Sequence, residues 1–131
     1  AMAGDPAAAV PLEFAVGRAA GASGTIMRAV VTSSVVDVTR PDLFLYLFSS
    51  EPALADDNAA FDTVLTDLIG VLALTSPQAV AGGTVWTSAA GDTAVFTCGA
   101  TANIWGVLVV GETWTPTAEQ DFAITLHVYR D

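Results

Sequence analysis

The stretch that decides the fold is DLFLYLFSSEPALADDNAAFDTVLTDLIGVLAL, residues 42–74. Its first segment alternates so that leucines point to one side of a strand while Phe44, Tyr46 and Phe48 point to the other. A polar loop, a short helical turn at residues 61–67 and a second apolar strand at residues 68–74 are predicted to follow. A strand that is apolar on both faces is typical of burial on two sides, which favours a structural or assembly role.

Similar strand patterns occur along the rest of the chain. Strand-like segments are predicted at residues 10–16, 25–39, 84–88 and 93–98, of which residues 25–39 are rich in Val, Thr and Ser, a β-type composition. Residues 103–110 are apolar on both faces. A bend near Ser33 and Ser34 would let the long segment serve two sheets. About eight short strands separated by turn signals predict an all-β fold, a single-domain β-sandwich of the jelly-roll kind with one short helical turn.

The final strand, residues 121–130, has the clearest period of two. Its core face is predicted to consist of Phe122, Ile124, Leu126 and Val128. The polar face then carries His127 and Tyr129. We expect residues 1–9 to be a flexible N-terminal arm or a tag remnant, and residues 10–131 to form the sandwich.

Composition narrows the possible partners. The 131 residues contain four arginines, no lysine and 14 acids, for a net charge of −10. A protein that holds nucleic acid or an anionic membrane needs a basic face, which four scattered arginines do not supply. No apolar run reaches the length of a membrane span, and no secretory signal is recognisable. We therefore expect a protein partner, and synthesis in the cytoplasm.

Single reactive residues are better explained by structure than by catalysis. His127 is the only histidine, and no sequence pattern supplies the nucleophile or carboxylate that a catalytic histidine needs. Cys98, the only cysteine, alternates with Ala94 and Phe96 and is expected to be a small core hydrophobe. No cofactor is expected. An enzyme would have to be an acid-pair glycosidase, and nothing in the sequence places two acids across a cleft.

One acidic cluster is a weak candidate for calcium. It contains Asp56, Asp57, Asn58 and Asp62, but it lacks the glycine and the terminal glutamate of an EF-hand loop. Capping of the adjacent turn is the favoured interpretation of these residues, and no metal site is predicted.

The three tryptophans allow two interpretations. Trp105 lies in an apolar strand and is expected in the core, whereas Trp86 and Trp114 are the better candidates for exposed positions. Exposed tryptophans could form a platform for a sugar, or they could anchor a protein interface.

Three segments together resemble a family of small tailed-bacteriophage virion proteins encoded near the major capsid gene. They are DLFLYLF with SSEPALADDNAAFD, then LIGVLAL, and then the end of the chain, ANIWGVLVVGETWTPTAEQDFAITLHVYRD. The resemblance covers about two thirds of the chain, from Arg40 onward, and its motifs are structural. It implies a β-sandwich on the capsid surface, a decoration (cement) protein that stiffens the head by bridging capsid subunits.

The expected partners are therefore the major capsid protein and further copies of the chain, with a homotrimer preferred. The alternative is a glycan- or ligand-binding module of a phage tail or head fibre, in which Trp86 and Trp114 contact the ligand. The predicted interface residues are Phe44, Tyr46, Phe48, Trp86, Trp114 and Tyr129.

Overall fold

The computed structural model of the chain describes residues 12–34, 41–52, 66–75, 77–89, 91–110 and 122–130. Within these residues there are nine strands and no helix. The strands are β1 (Leu12–Phe14), β2 (Ser23–Ser33), β3 (Leu43–Phe48), β4 (Leu68–Leu74), β5 (Gln78–Val80), β6 (Gly83–Thr87), β7 (Ala94–Thr97), β8 (Ile104–Val110) and β9 (Phe122–Arg130). Because none of the described residues is helical, none forms a helix that could cross a membrane.

Two antiparallel sheets form a sandwich, which confirms the all-β fold predicted from the sequence. The four-stranded sheet has the order β1-β8-β3-β4. In the five-stranded sheet β2 is central: β9 runs along one side of it, and β6 and β7 lie end to end along the other, with β5 outside β6. The chain crosses between the sheets at both of its first two connections, β1 to β2 and β2 to β3.

The core lies between the sheets and is built from alternate residues of each strand. β3 contributes Leu43, Leu45 and Leu47, all fully buried. The opposite sheet contributes fully buried side chains from β2, β6 and β7, namely Ile26, Ala29, Val31, Trp86 and Phe96. The β9 residues Phe122, Ile124, Leu126 and Val128 pack against this core while staying partly exposed. The predicted core face of the last strand is therefore confirmed.

Gly24 allows two strands of the five-stranded sheet to approach closely. A Cβ atom at this position would lie 2.8 Å from the ring of Phe96 and closer still to the carbonyl oxygen of Tyr129. Side-chain carbon atoms cannot occupy that space without moving the backbone. Glycine is therefore required where β2 passes between β7 and β9.

Ser88 holds the sheet together where β6 ends. Its backbone N–H donates to the carbonyl oxygen of Ala29 at 3.0 Å, and its Oγ accepts from the N–H of Ala29 at 2.9 Å. The side chain thus completes a backbone ladder that the chain leaves after Thr87 and rejoins at Ala94. Both groups are buried, so neither Ala29 bond can be replaced by water without cost.

The connection between β6 and β7 also contacts the four-stranded sheet. Asp92 Oδ2 accepts a hydrogen bond of 3.1 Å from the N–H of Ala73 in β4. Since β4 is an edge strand, this carboxylate occupies one of the backbone donors that an edge leaves unpaired.

The strand boundaries agree best with the sequence in the apolar segments. β3 and β4 occupy the predicted residues, and β8 and β9 begin one residue later than predicted. β1 is shorter than expected, β5 was not predicted, and β2 stays within one sheet up to Ser33. The predicted arm (residues 1–9), the start of the helical turn (residues 61–65) and the second half of the long strand (residues 35–39) lie outside the described residues.

Replacing Ser88 with alanine tests its role in the ladder. We expect Ser88→Ala to lower the free energy of unfolding by about 1–2 kcal/mol, because the buried N–H of Ala29 loses its acceptor. Chemical denaturation of both proteins measures the difference. Thr93→Ala, which removes an exposed hydroxyl from the same connection, is the matched control and should change stability far less. Equal effects of the two substitutions would contradict this role for Ser88.

Candidate interaction surfaces

The outer face of the four-stranded sheet is apolar. Phe44 and Tyr46 alternate with the buried leucines of β3 and are half-buried. In register, Tyr46 lies between Val71 of β4, which is 38% exposed, and Val107 of β8. The sequence therefore placed Phe44 and Tyr46 correctly on the face that turns away from the leucines.

Two members of this face are already buried within the chain. Phe48 is 1% exposed and Val107 is 3% exposed, yet neither belongs to the cluster between the sheets. Phe48 pairs in register with Trp105, which is half-buried on the same face. Phe48 is thus unavailable as a surface anchor, and Trp105 lies outside the core in which we expected it. A strand that is apolar on both faces therefore has buried side chains on its outer face as well as in the core between the sheets.

The outer face of the five-stranded sheet is more open. Val95 is 71% exposed and Tyr129 is 66% exposed, and both pair in register with Thr25 of β2, so the three side chains form one row across the sheet. Met27 occupies the register shift between Ile26 and Arg28 and is 51% exposed beside this row. A β-bulge of this kind turns the extra side chain outward. Three large apolar side chains therefore meet solvent together.

The described part of this face carries no acidic residue. Arg28 faces His127 across the strand pair, and these are its only ionisable groups besides the Tyr129 phenol. Other described residues on this face, from β2, β5, β6, β7 and β9, are uncharged: Val30, Thr32, Gln78, Val80, Val85, Thr87, Thr97, Ala123 and Thr125. For a chain with 14 acids and a net charge of −10, this is a distinct surface, and we call it the acid-free face.

The described acids lie elsewhere, in β1 or in the chain outside the strands. Asp67 precedes β4 and accepts a hydrogen bond of 2.5 Å from Ser50 Oγ, and Asp92 binds the backbone of Ala73. Glu13 in β1 accepts from the side-chain amide of Asn103. Among the residues that the structure describes, no three His, Cys, Asp or Glu side chains are grouped to hold a metal. The calcium candidates Asp56, Asp57, Asn58 and Asp62 lie outside this part of the chain.

The tryptophans do not form the expected platform. Trp86 is fully buried between the sheets, where its indole N–H donates to the carbonyl oxygen of Pro41 at 2.8 Å and its ring packs 6.4 Å from that of Phe122. The prediction that Trp86 is an exposed anchor is therefore wrong. Its alternation with Thr84, which is also buried, carried the correct signal. Trp114 lies outside the described residues.

A groove opens where the edges of the two sheets meet. Its volume is about 650 Å³, and Phe14 and Val16 line one side while Leu126 and Val128 line the other. Arg130 closes one end by donating from Nε to the carbonyl oxygen of Val16 at 2.7 Å. The groove thus follows the side of β9 that faces away from β2.

Sequence reasoning missed two of the most exposed apolar residues, Met27 and Val95. A usable signal was present, because residues 14–34 and 93–110 contain no acid, although acids make up more than a tenth of the chain. Acid-free segments that form adjacent strands create an acid-free face.

Comparison of the chain with protein-family models, with curated proteins and with solved structures gave no match.

The thiol of Cys98 gives a test of core burial. Burial raises the pKa of this thiol, since desolvation disfavours the thiolate. The folded protein therefore holds its proton to higher pH than the unfolded chain does. This contribution to the free energy of unfolding is present below the unfolded pKa, about 8.5, and declines as the pH rises through the higher folded value.

We expect Cys98→Ala to remove the part of the decline in the free energy of unfolding above about pH 8.5 that comes from this thiol. Denaturation of both proteins between pH 7 and pH 10 measures it, at equal ionic strength. Identical pH dependence of the two proteins would contradict thiol burial as its cause.

Proposed function

We propose that the protein is a structural virion component, a capsid decoration protein that binds the outside of a phage head and bridges capsid subunits. The observation that carries this proposal is the acid-free face, where exposed Val95, Tyr129 and Met27 lie together and Arg28 is the one formal charge among the described residues, on an otherwise acidic chain. Aromatic and methionine side chains are enriched where proteins bind one another, and charged residues are depleted there. The segment resemblance described above supplies the capsid as the partner.

The shape of the molecule supports attachment by one face. Four of the five described acids, Glu13, Asp42, Glu51 and Asp67, lie in strands of the four-stranded sheet or in the chain that leads into or out of them, while the outer face of the five-stranded sheet presents mainly threonine, valine and tyrosine. Depletion of charged residues is typical of the centre of a protein interface. The major capsid protein is accordingly the partner we propose for the acid-free face, and the virion surface is the proposed location.

The glycan-binding alternative loses one of its two tryptophans, because Trp86 is enclosed in the core. A ligand cannot stack on a ring that is fully buried. The decoration function is therefore the one we put forward.

Copy number in purified virions tests the proposed function directly. We expect quantitative mass spectrometry to find hundreds of copies per particle, in a simple ratio to the major capsid protein. A few copies per particle would indicate a tail or fibre component, and absence from virions would exclude a virion role.

A pair of valine substitutions tests which face binds. Val95→Asp places a carboxylate in the acid-free face, whereas Val71→Asp places the same group on the opposite sheet. We expect Val95→Asp to weaken binding to undecorated capsids by about tenfold or more, because a charge buried at an interface is costly, while Val71→Asp binds normally. Binding is measured by co-sedimentation with capsids, after circular dichroism has established that both variants fold. Weakening by Val71→Asp alone would place the docking surface on the four-stranded sheet.

A further inference from the structure

The edge strands of the sandwich differ in how well they are protected. β1 and β5 have three residues each and β7 has four, too short to template a long partner strand. β4 has seven residues, and Asp92 occupies its Ala73 donor. β9 has nine residues, and in the part of the chain that the structure describes only β2 pairs with it. Among the described residues, this one long edge has no covering strand.

The sequence of β9 carries none of the usual devices against edge pairing. It contains no lysine, no proline and no acid, and its one formal charge is Arg130 at the end. Natural edge strands usually carry such residues, or a bulge, to prevent association. The bulge in this sheet lies in β2, at Met27, so β9 itself remains regular.

The hydrogen bonds of Ser88 show which β9 amides face outward. Both the N–H and the C=O of Ala29 point toward Ser88, away from β9, so the next residue, Val30, points toward β9. Val30 pairs with Thr125, whose N–H and C=O therefore point back to β2. By alternation, the backbone groups of Ile124, Leu126 and Val128 point away from β2. Of these three residues, Leu126 and Val128 line the groove beside β1.

We propose that β9 pairs antiparallel with β9 of a second copy of this chain, so that two five-stranded sheets become one continuous sheet across a two-fold axis. Like-charged copies repel each other over most of their surface, and an edge without acids, next to the acid-free face, is where they can approach. Overlap of all nine residues places Leu126 opposite its own copy and Thr125 opposite His127 of the second copy. No acid faces another within these nine residues, and the nearest acids in the sequence, Asp121 and Asp131, directly flank them.

A second copy of the chain fits this edge in symmetry as well as in charge. Antiparallel pairing of identical strands is isologous and closed, so it ends at a dimer and does not propagate into a fibre. The two acid-free faces then lie side by side on one sheet, which would double the surface available to a partner. The pairing itself needs no partner, and so it can fail while the proposed function stands.

A matched pair of threonine substitutions tests the pairing. Thr125→Lys places a lysine on the edge strand, and Thr32→Lys places one on β2, one strand further in, on the same exposed face. Both change the net charge equally. We expect sedimentation equilibrium to give a mass near twice 13.4 kDa for the wild-type chain. Thr125→Lys should raise the dimer dissociation constant about tenfold, while Thr32→Lys leaves it nearly unchanged.

Hydrogen exchange followed by NMR gives a second readout that does not depend on substitutions. The amides of Ile124, Leu126 and Val128 should be protected in the dimer and exchange quickly on dilution, while those of Thr125 and His127 stay protected by β2 throughout. A monomer at millimolar concentration or a trimer would overturn the proposal. So would concentration-independent protection of the three outward amides, because the chain would then cover its own edge.

Discussion

The pairing of β2 with three other strands is the constraint on which the five-stranded sheet depends. Its eleven residues serve β9 on one side and both β6 and β7 on the other. Two strands can share one side of β2 only if the β2 backbone groups between them are also hydrogen-bonded. Ser88 supplies these bonds to the N–H and the carbonyl oxygen of Ala29. Gly24 lets the first half of β2 fit closely between its neighbours. The acid-free face, the bulge at Met27 and the position of β9 all follow from where this strand lies.

Local periodicity was enough to predict most of the fold. The segments of β3, β4, β8 and β9 alternate so regularly that burial and boundaries could be read from residue type, and Cys98 was correctly expected to be a core residue. Strand order could not be predicted in this way, since nothing local specifies that β6 and β7 share one side of β2. The three-residue strand β5 has too few positions for a period to appear.

The candidate surfaces were predicted less well, for a physical reason. Aromatic residues attract attention as anchors, but their large apolar area also makes them the first residues that a core buries. Trp86 and Phe48 are both enclosed, whereas Tyr129 is exposed. The size of a side chain does not distinguish these outcomes, and alternation fails for Phe48, which shares a face with half-buried Phe44 and Tyr46 and is nevertheless buried. The absence of acids over the described part of a sheet face was the better guide, but it becomes visible only when strands distant in sequence are placed side by side.

The bulge in β2 has a chemical consequence for the acid-free face. It turns the thioether of Met27 outward, where more than half of the side chain meets solvent. Oxidants convert an accessible methionine to its sulfoxide, which replaces a flexible apolar group with a polar one. Because Met27 lies outside the core, this reaction makes the surface more polar while the packing between the sheets stays intact. Oxidation of Met27 thus alters the surface of the sandwich in a way that a measurement of its stability does not detect.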